Sequence, residues 1–294
     1  MIINNTEQKI YPDLSKKLNL SEVWIKHEYL NESGSHKIRL LSHLFEKYIS
    51  QGEKDFVISS SGNAAIAACY YLKKIKNSQI NLMVFVPSTM DSKKWKRLKL
   101  VSNNSPQIKI KKSKKAKQEA FKFSKETGAI FLRGSTEPQA EEAYINLGEE
   151  IGQIPNLQAI FIPTSSGITS LGIFQYFKKI NQNVEIHIVQ TEKIHSLSQN
   201  FDKDFKLKKK SLAKAIVDKT AKRKTDVIRT LQESAGWAWV ISDKELKRAK
   251  KIIENNTDIT GISYDSLLSI AGLLKAQKND WKFKGAVCCL FTGK

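Results

Sequence analysis

Short apolar runs alternate with longer segments of helical periodicity along almost the whole chain. The runs at 82–86 and 286–291 are apolar at every position, as expected of strands that helices cover on both faces. This alternation predicts an α/β fold with mostly parallel sheets flanked by helices. The predicted strands are 23–27, 55–59, 80–86, 107–111, 129–132, 158–162, 184–190, 237–241 and 285–291, and the predicted helices are 36–50, 63–76, 91–102, 114–127, 137–152, 167–179, 243–255 and 264–277.

The charge balance is strongly basic, with a formal net charge of +20 on 294 residues. A basic surface attracts nucleic acid, an acidic protein or a phosphorylated substrate, but a solvated lysine face gives the same composition. We favour the solvated face and expect no nucleic-acid partner, because aromatic residues are not interleaved with the basic runs. The lysine-rich segment 195–226 has no clear strand, which indicates either a long functional loop or a charged helix.

Patterns for targeting, membrane insertion and metal binding are absent from the sequence. No charged N-terminal stretch precedes an apolar one, and the longest apolar run, 64–72, is too short to cross a bilayer. The three cysteines are an odd number, and no Cys/His spacing is typical of a zinc site. We therefore expect a cytoplasmic protein without a membrane segment, a disulfide framework or a metal site.

A lysine stands where a polar turn meets a helix. Ser33, Gly34 and Ser35 form a turn after the predicted strand 23–27, and Lys37 precedes an apolar pattern of helical spacing. A lysine at such a junction that is partly removed from water has a lowered pKa and a nucleophilic amine. The spacing alone leaves an ordinary exposed lysine as the alternative.

Two further polar turns follow predicted strands and begin predicted helices. The first consists of Ser60, Ser61, Gly62 and Asn63, and the second of Ser165, Ser166, Gly167, Ile168 and Thr169. Backbone N–H groups and hydroxyls at a helix start bind carboxylates and phosphates, although an ordinary helix cap has the same sequence. Thr292 follows the last predicted strand, and its position alone indicates only a strand end.

In their order along the chain, these four features resemble the fold-type II family of pyridoxal-phosphate enzymes. This family includes threonine synthase, the serine and threonine dehydratases, cysteine synthase and the tryptophan synthase β chain. The resemblance extends from Trp24 to Gly293 and implies a two-domain α/β fold like that of the tryptophan synthase β chain. We expect a larger cofactor-binding domain made of 1–41 and 135–294, and a smaller substrate-capping domain made of 42–134.

The resemblance also implies a role for each motif. Lys37 would hold pyridoxal 5'-phosphate as a Schiff base and serve as the catalytic base. Asn63 would contact the ring hydroxyl of the cofactor, Thr292 its pyridine nitrogen, and the residues Ser165, Ser166, Gly167, Ile168 and Thr169 its phosphate. The substrate carboxylate would be bound by Ser60, Ser61, Gly62 and Asn63.

The phosphate turn departs from the family pattern. Ser165 and Ile168 stand where glycines are usual, and glycine is the residue that permits the closest backbone approach. Either Ser166, Gly167 and Thr169 supply the phosphate contacts, or the cofactor is bound weakly.

The motifs divide between subfamilies. Phe291-Thr292-Gly293 resembles threonine synthase, whereas Lys37-Ile38-Arg39 and the Ser-Gly-Asn turn resemble the serine and threonine dehydratases. We favour elimination or replacement on a phosphorylated amino acid, as in threonine synthase, and expect a homodimer that acts on a small amino acid. The alternatives are a serine/threonine ammonia-lyase and a catalytically silent protein that binds an acidic partner.

Overall fold

A computed structural model of the chain describes residues 5–294. The strands in this range are β1 (Gln8–Ile10), β2 (Val23–Lys26), β3 (Asp55–Ser59), β4 (Asn81–Pro87), β5 (Ile108–Ser113), β6 (Ile130–Phe131), β7 (Leu157–Pro163), β8 (Glu185–Thr191), β9 (Ala238–Ile241) and β10 (Ala286–Leu290). The α-helices are α1 (Pro12–Leu18), α2 (Lys37–Ser50), α3 (Asn63–Ile75), α4 (Ser92–Ser102), α5 (Ala116–Thr127), α6 (Ile145–Ile151), α7 (Ile168–Lys179), α8 (Lys224–Glu233), α9 (Asp243–Asn256) and α10 (Tyr264–Lys278). No helix within the described range is long and apolar enough to cross a bilayer.

The described residues form two compact units. The small unit is Asn31–Ala140, and the large unit joins Asn5–Leu30 to Glu141–Lys294. The sequence-based boundaries at 41/42 and 134/135 differ from these limits. The boundary at 41/42 would cut through α2, whose apolar face packs against α3 inside the small unit, so the whole helix belongs to that unit.

The small unit is built on a four-stranded parallel sheet in the order β5-β4-β3-β6. Successive residues of β3 face opposite sides of this sheet. Phe56 meets Phe45 of α2 with ring centroids 4.7 Å apart. On the other side, Val57 belongs to a cluster with Ala116 and Ala120 of α5, where small side chains let the helix approach closely. Helices thus cover both faces of β3. The strand is an interior one, with β4 on one side and β6 on the other.

The large unit is built on a six-stranded sheet in the order β1-β2-β10-β7-β8-β9. The pair β1–β2 is antiparallel, and every other pair is parallel. Every residue of β10 is buried, as the uniformly apolar run predicts. The α/β class with mostly parallel sheets is therefore confirmed.

Some predicted elements differ from those in the structure. The predicted helix 137–152 is a 3-10 helix, Ala140–Tyr144, followed by the shorter α6. The elements β1 and α1 have three and seven residues, too few to show a clear period in the sequence. The segment 195–226 is irregular until α8 begins at Lys224, so it is a loop for most of its length rather than a charged helix.

A buried ion pair anchors this irregular segment to the large unit. The Nζ of Lys275 on α10 lies 2.7 Å from the Asp202 carboxylate, and both side chains are less than 5 % exposed. Lys275 also donates to the carbonyl oxygens of Asp204 and Val240 at 2.7 and 2.9 Å. The Val240 N–H in turn donates to Asp202 at 2.8 Å. One lysine therefore joins the segment to both α10 and β9.

We expect Lys275→Met to lower the free energy of unfolding by about 3–5 kcal/mol, because Asp202 would remain charged and buried without a partner. Lys278→Met is the matched control on the same helix, since Lys278 is 69 % exposed and its pair with Asp204 spans 3.8 Å. We expect the control to change stability by no more than about 0.5 kcal/mol. Urea unfolding midpoints measure both, and equal effects of the two substitutions would contradict the anchoring role of Lys275.

Candidate active site

Lys37 is the first residue of α2 and follows a turn shaped by Gly34. Gly34 has φ +76°, in the left-handed region that favours glycine, and its N–H donates to the Asn31 carbonyl at 2.5 Å. The Arg97 guanidinium packs against Gly34 where a Cβ atom would stand. The Nη2 of Arg97 donates to the Ser33 carbonyl at 2.8 Å. A glycine and an arginine therefore fix the backbone that leads into Lys37.

The Lys37 amine is suited to nucleophilic chemistry. Its side chain is half-buried, and within residues 5–294 it makes neither a hydrogen bond nor an ion pair. Burial lowers the pKa of Lys37 from 10.5 to about 8. At pH 7 about one amine in ten is then neutral, whereas an ordinary lysine is neutral less than about once in a thousand. The hydroxyl of the neighbouring Ser35 is also buried without a hydrogen-bond partner in the part of the chain that the structure describes.

The Ser60–Gly62 turn connects β3 to α3 in the same unit. The N–H of Gly62 donates to Ser60 Oγ at 3.2 Å, and Asn63 begins the helix. Gly62 has an extended backbone with φ −173°, so its conformation does not require glycine. A Cβ atom there would lie 3.2 Å from the Nζ of Lys94 on α4, so the end of this lysine side chain lies against the turn. The sequence analysis assigned no role in the site to Lys94 or Arg97, although both lie in a basic run, 93–97.

The Ser165–Thr169 turn connects β7 to α7 in the large unit. Gly167 has φ +90°, and Val227 of α8 packs where its Cβ atom would stand. Ile168 is already the first residue of α7, so its N–H is among those that a helix start leaves without a partner in the helix. The backbone angle and the contact with Val227 therefore require glycine at position 167, whereas the side chain of Ile168 is accommodated inside the unit.

Ser165 has a structural contact that its sequence position does not reveal. Its Oγ accepts hydrogen bonds from the N–H groups of Val217 and Asp218 at 3.0 and 3.1 Å. The serine thus ties the turn to the irregular segment 195–226, and its hydroxyl proton is left to donate to a further acceptor. Ser166 is half-buried, and Thr169 is buried in the first turn of α7.

Thr292 lies at the same sheet edge as the Ser165–Thr169 turn. Strand β10 pairs with β7 in parallel, with Cys289 opposite Phe161. Thr292 comes three residues after Cys289, as Thr164 comes three residues after Phe161. Two serines at the start of α10 hold the next residue, because Ser263 and Ser266 donate to the Gly293 carbonyl at 2.6 and 2.7 Å.

The predicted site residues therefore divide between the two units. Lys37, Ser60, Ser61, Gly62 and Asn63 lie in the small unit, and Ser165, Ser166, Gly167, Ile168, Thr169 and Thr292 lie in the large one. Within each unit the motifs gather at one place, around α4 in the small unit and at one sheet edge in the large unit. No cluster of three or more metal-ligating side chains occurs among residues 5–294.

Comparison with known proteins identifies the family. The sequence profile of the family described as "Pyridoxal-phosphate dependent enzyme" matches residues 2–293. The chain belongs to this family. The family's cofactor is pyridoxal phosphate, as the resemblance implied, and the fold-type II assignment is confirmed.

Individual relatives are more distant. An L-serine dehydratase/L-threonine deaminase of Homo sapiens is 28 % identical over 243 residues, which cover 79 % of this chain and 71 % of that protein. An L-threonine ammonia-lyase of Thermotoga maritima is 24 % identical over 198 residues, 64 % of this chain and 46 % of that protein. The structure of maize serine racemase has a TM-score of 0.81 at 18 % identity and covers 99 % of this chain and 88 % of that one, which shows a shared fold.

The residues present fit pyridoxal phosphate. Lys37 offers an amine of lowered pKa for the aldehyde. The start of α7 offers unpaired N–H groups, the hydroxyls of Ser166 and Thr169, and the positive end of a helix dipole for the phosphate. Each unit thus offers donors of a kind that this cofactor binds, even with Ser165 and Ile168 in place of glycines.

The reactivity of Lys37 towards an amine-specific reagent should follow its lowered pKa. Only the neutral amine reacts, so acetylation of Lys37 by acetic anhydride should rise about tenfold per pH unit and level off above about pH 8. The exposed Lys93 of α4 is the internal control, because its side chain is not buried. Mass mapping of acetylated peptides measures both residues in one sample. The same profile for Lys37 and Lys93 would show that burial does not shift Lys37.

We expect Gly167→Ala to weaken cofactor binding by on the order of tenfold, equivalent to about one charge-assisted hydrogen bond to the phosphate. The added methyl group would overlap Val227 and displace the turn. Gly52→Ala is the matched control, because Gly52 has φ +89° and nothing within 4 Å of the added atom. Spectroscopic titration with pyridoxal phosphate measures both variants. Equal affinities for the two variants would mean that the Gly167 turn does not bind the cofactor.

Proposed function

We propose that this enzyme is a pyridoxal-phosphate-dependent lyase that converts serine or threonine into ammonia and a keto acid. The half-buried Lys37 amine, which has a lowered pKa and no hydrogen bond or ion pair with residues 5–294, is the observation that carries the proposal. A surface lysine of a silent binding protein would need no such environment. The names of the human and Thermotoga relatives support the dehydratase alternative of the sequence analysis. They give no specific support to the threonine-synthase reaction.

The bound cofactor supplies an electron sink for the carbanion that forms when the substrate loses its α-proton. Lys37 takes that proton, and its lowered pKa keeps part of the amine neutral and ready to do so near pH 7. Once protonated, the same residue can donate a proton to the departing hydroxyl. Base and acid are then one side chain at the start of α2.

The Ser60–Asn63 and Ser165–Thr169 turns bind and orient the substrate and the cofactor. Asn63 and the N–H groups at the start of α3 lie at the positive end of a helix dipole, which suits the substrate carboxylate. Ser60 and Ser61 add hydroxyls to the same turn. In the large unit, Ser166, Gly167 and Thr169 would hold the phosphate, and the neutral hydroxyl of Thr292 would pair with the pyridine nitrogen.

The test is reductive trapping followed by turnover. Borohydride reduction after addition of pyridoxal phosphate should leave the mass adduct on the peptide that contains Lys37. Lys37→Ala should lose both the adduct and the release of keto acid from serine or threonine, whereas the exposed-lysine control Lys93→Ala should keep both. Adducts on other lysines only would overturn the assignment. Phosphate release from a phosphorylated amino acid, without ammonia, would instead support the threonine-synthase reaction.

We also propose, on the resemblance alone, that the enzyme is a cytoplasmic homodimer. Light scattering during size-exclusion chromatography measures the mass in solution, and a mass of one chain would contradict the dimer.

A further inference from the structure

One face of α4 brings two positive charges to the two motifs of the small unit. Lys94 and Arg97 are three residues apart, a spacing that places side chains on the same face of a helix. Arg97 packs against Gly34 in the turn before Lys37, and Lys94 Nζ packs against Gly62 in the turn before Asn63. Each cation therefore lies against the backbone of a turn at its glycine.

The charge on Lys94 is not balanced within the described part of the chain. Its side chain is half-buried, and its ammonium makes no hydrogen bond or ion pair with residues 5–294. The nearby Asp91 uses Oδ1 to cap the helix by accepting the N–H groups of Lys93 and Lys94. Arg97 commits one N–H to Ser33 and retains others. A half-buried cation without a partner is unfavourable, and an anionic ligand would relieve that cost.

The α-carboxylate of an amino acid does not require these two charges. The Ser60–Gly62 turn and the start of α3 already offer hydroxyls, N–H groups and the helix dipole for one carboxylate. Lys94 and Arg97 add two full charges beside this turn and the Lys37 turn. A substrate whose side chain carries its own anionic group would use both sets of donors.

We propose that Lys94, with Arg97 beside it, binds a second anionic group on the substrate. The preferred substrates are then amino acids with a phosphate or carboxylate on the side chain, and Lys94 determines that preference. This inference rests on the proposed function, because it takes the Ser60–Asn63 turn as the substrate site. It adds an anionic side-chain group, which serine and threonine, the amino acids in the relatives' names, do not carry.

For a phosphorylated hydroxy amino acid the reaction is balanced without a further reagent. Lys37 takes the α-proton, and the bond between the β-carbon and the phosphate oxygen breaks. Phosphate leaves with the electron pair of that bond, and one water molecule converts the remaining enamine into keto acid and ammonia. A dicarboxylic hydroxy amino acid keeps its second carboxylate and loses hydroxide instead.

The test compares ligands that share the 2-aminobutanoate chain, differ in the group on carbon 4 and cannot undergo the elimination. Isothermal titration of the cofactor-loaded enzyme with 2-amino-4-phosphonobutanoate, glutamate and 2-aminobutanoate gives three dissociation constants. We expect at least one anionic ligand to bind about tenfold or more tightly than 2-aminobutanoate, as a charge-assisted contact provides. The phosphonate and glutamate results decide between phosphate and carboxylate.

Substitutions on α4 then assign the preference to one residue. Lys94→Gln should remove the tenfold preference for the anionic ligand over 2-aminobutanoate, and Lys94→Arg should restore most of it. Lys96→Gln is the matched control, because Lys96 is exposed on the same helix. An equal preference in wild type and Lys94→Gln, or no preference in the wild type, would overturn the inference.

Borohydride trapping on Lys37, carried out on the same samples, separates this inference from the proposed function. Trapping without an anion preference would overturn only the role of Lys94. An anion preference that depends on Lys94 without trapping on Lys37 would retain the anion site and overturn the proposed chemistry.

Discussion

Parallel strand pairing is the constraint on which the candidate site depends. In a parallel sheet the carboxyl ends of neighbouring strands meet at one edge, and the next helix begins there with unpaired N–H groups. The turns after β3 and β7 and the residues after β10 all stand at such ends. The buried, apolar β10 matters most in the large unit, because it lies between β2 and β7 and Thr292 follows two residues after its end.

The environment of Lys37 affects folding as well as chemistry. Its pKa in the folded protein, about 8, lies below the ordinary value of 10.5, so between these values the folded state binds fewer protons than the unfolded chain. The contribution of Lys37 to stability therefore improves as pH rises through this window and is least favourable below it. At neutral pH the burial of Lys37 therefore lowers the stability of the folded protein. The same burial makes the amine nucleophilic.

The fold could be predicted from sequence where burial leaves a periodic pattern. Strands β4, β7 and β10 are apolar because helices cover them, and their ranges agree with the predictions within about two residues. The helix predicted at 137–152 is shorter in the structure and partly 3-10. The spacing of its apolar residues does not distinguish an α-helix from a 3-10 helix. The domain limits also differed, since packing of α2 on α3 rather than composition decides where the small unit begins.

The site residues were predictable only as motifs in order. Their contacts were not, because a contact between residues far apart in the chain leaves no local pattern. Lys94 and Arg97 looked like part of a solvated basic run, and only the glycines that face them show that they are packed. The same holds for Ser165, whose sequence position suggests a phosphate contact alone.

The hydrogen bonds of Ser165 also matter for protein engineering. One hydroxyl makes the shape of the turn after β7 a joint property of two stretches of chain that are 52 residues apart. Consider a chimera that receives segment 195–226 from a relative with glycine at the position of Ser165. The transplanted backbone would come from a protein in which no serine hydroxyl accepts the N–H groups at 217 and 218. Residue 165 and segment 195–226 should therefore be exchanged together in such a chimera.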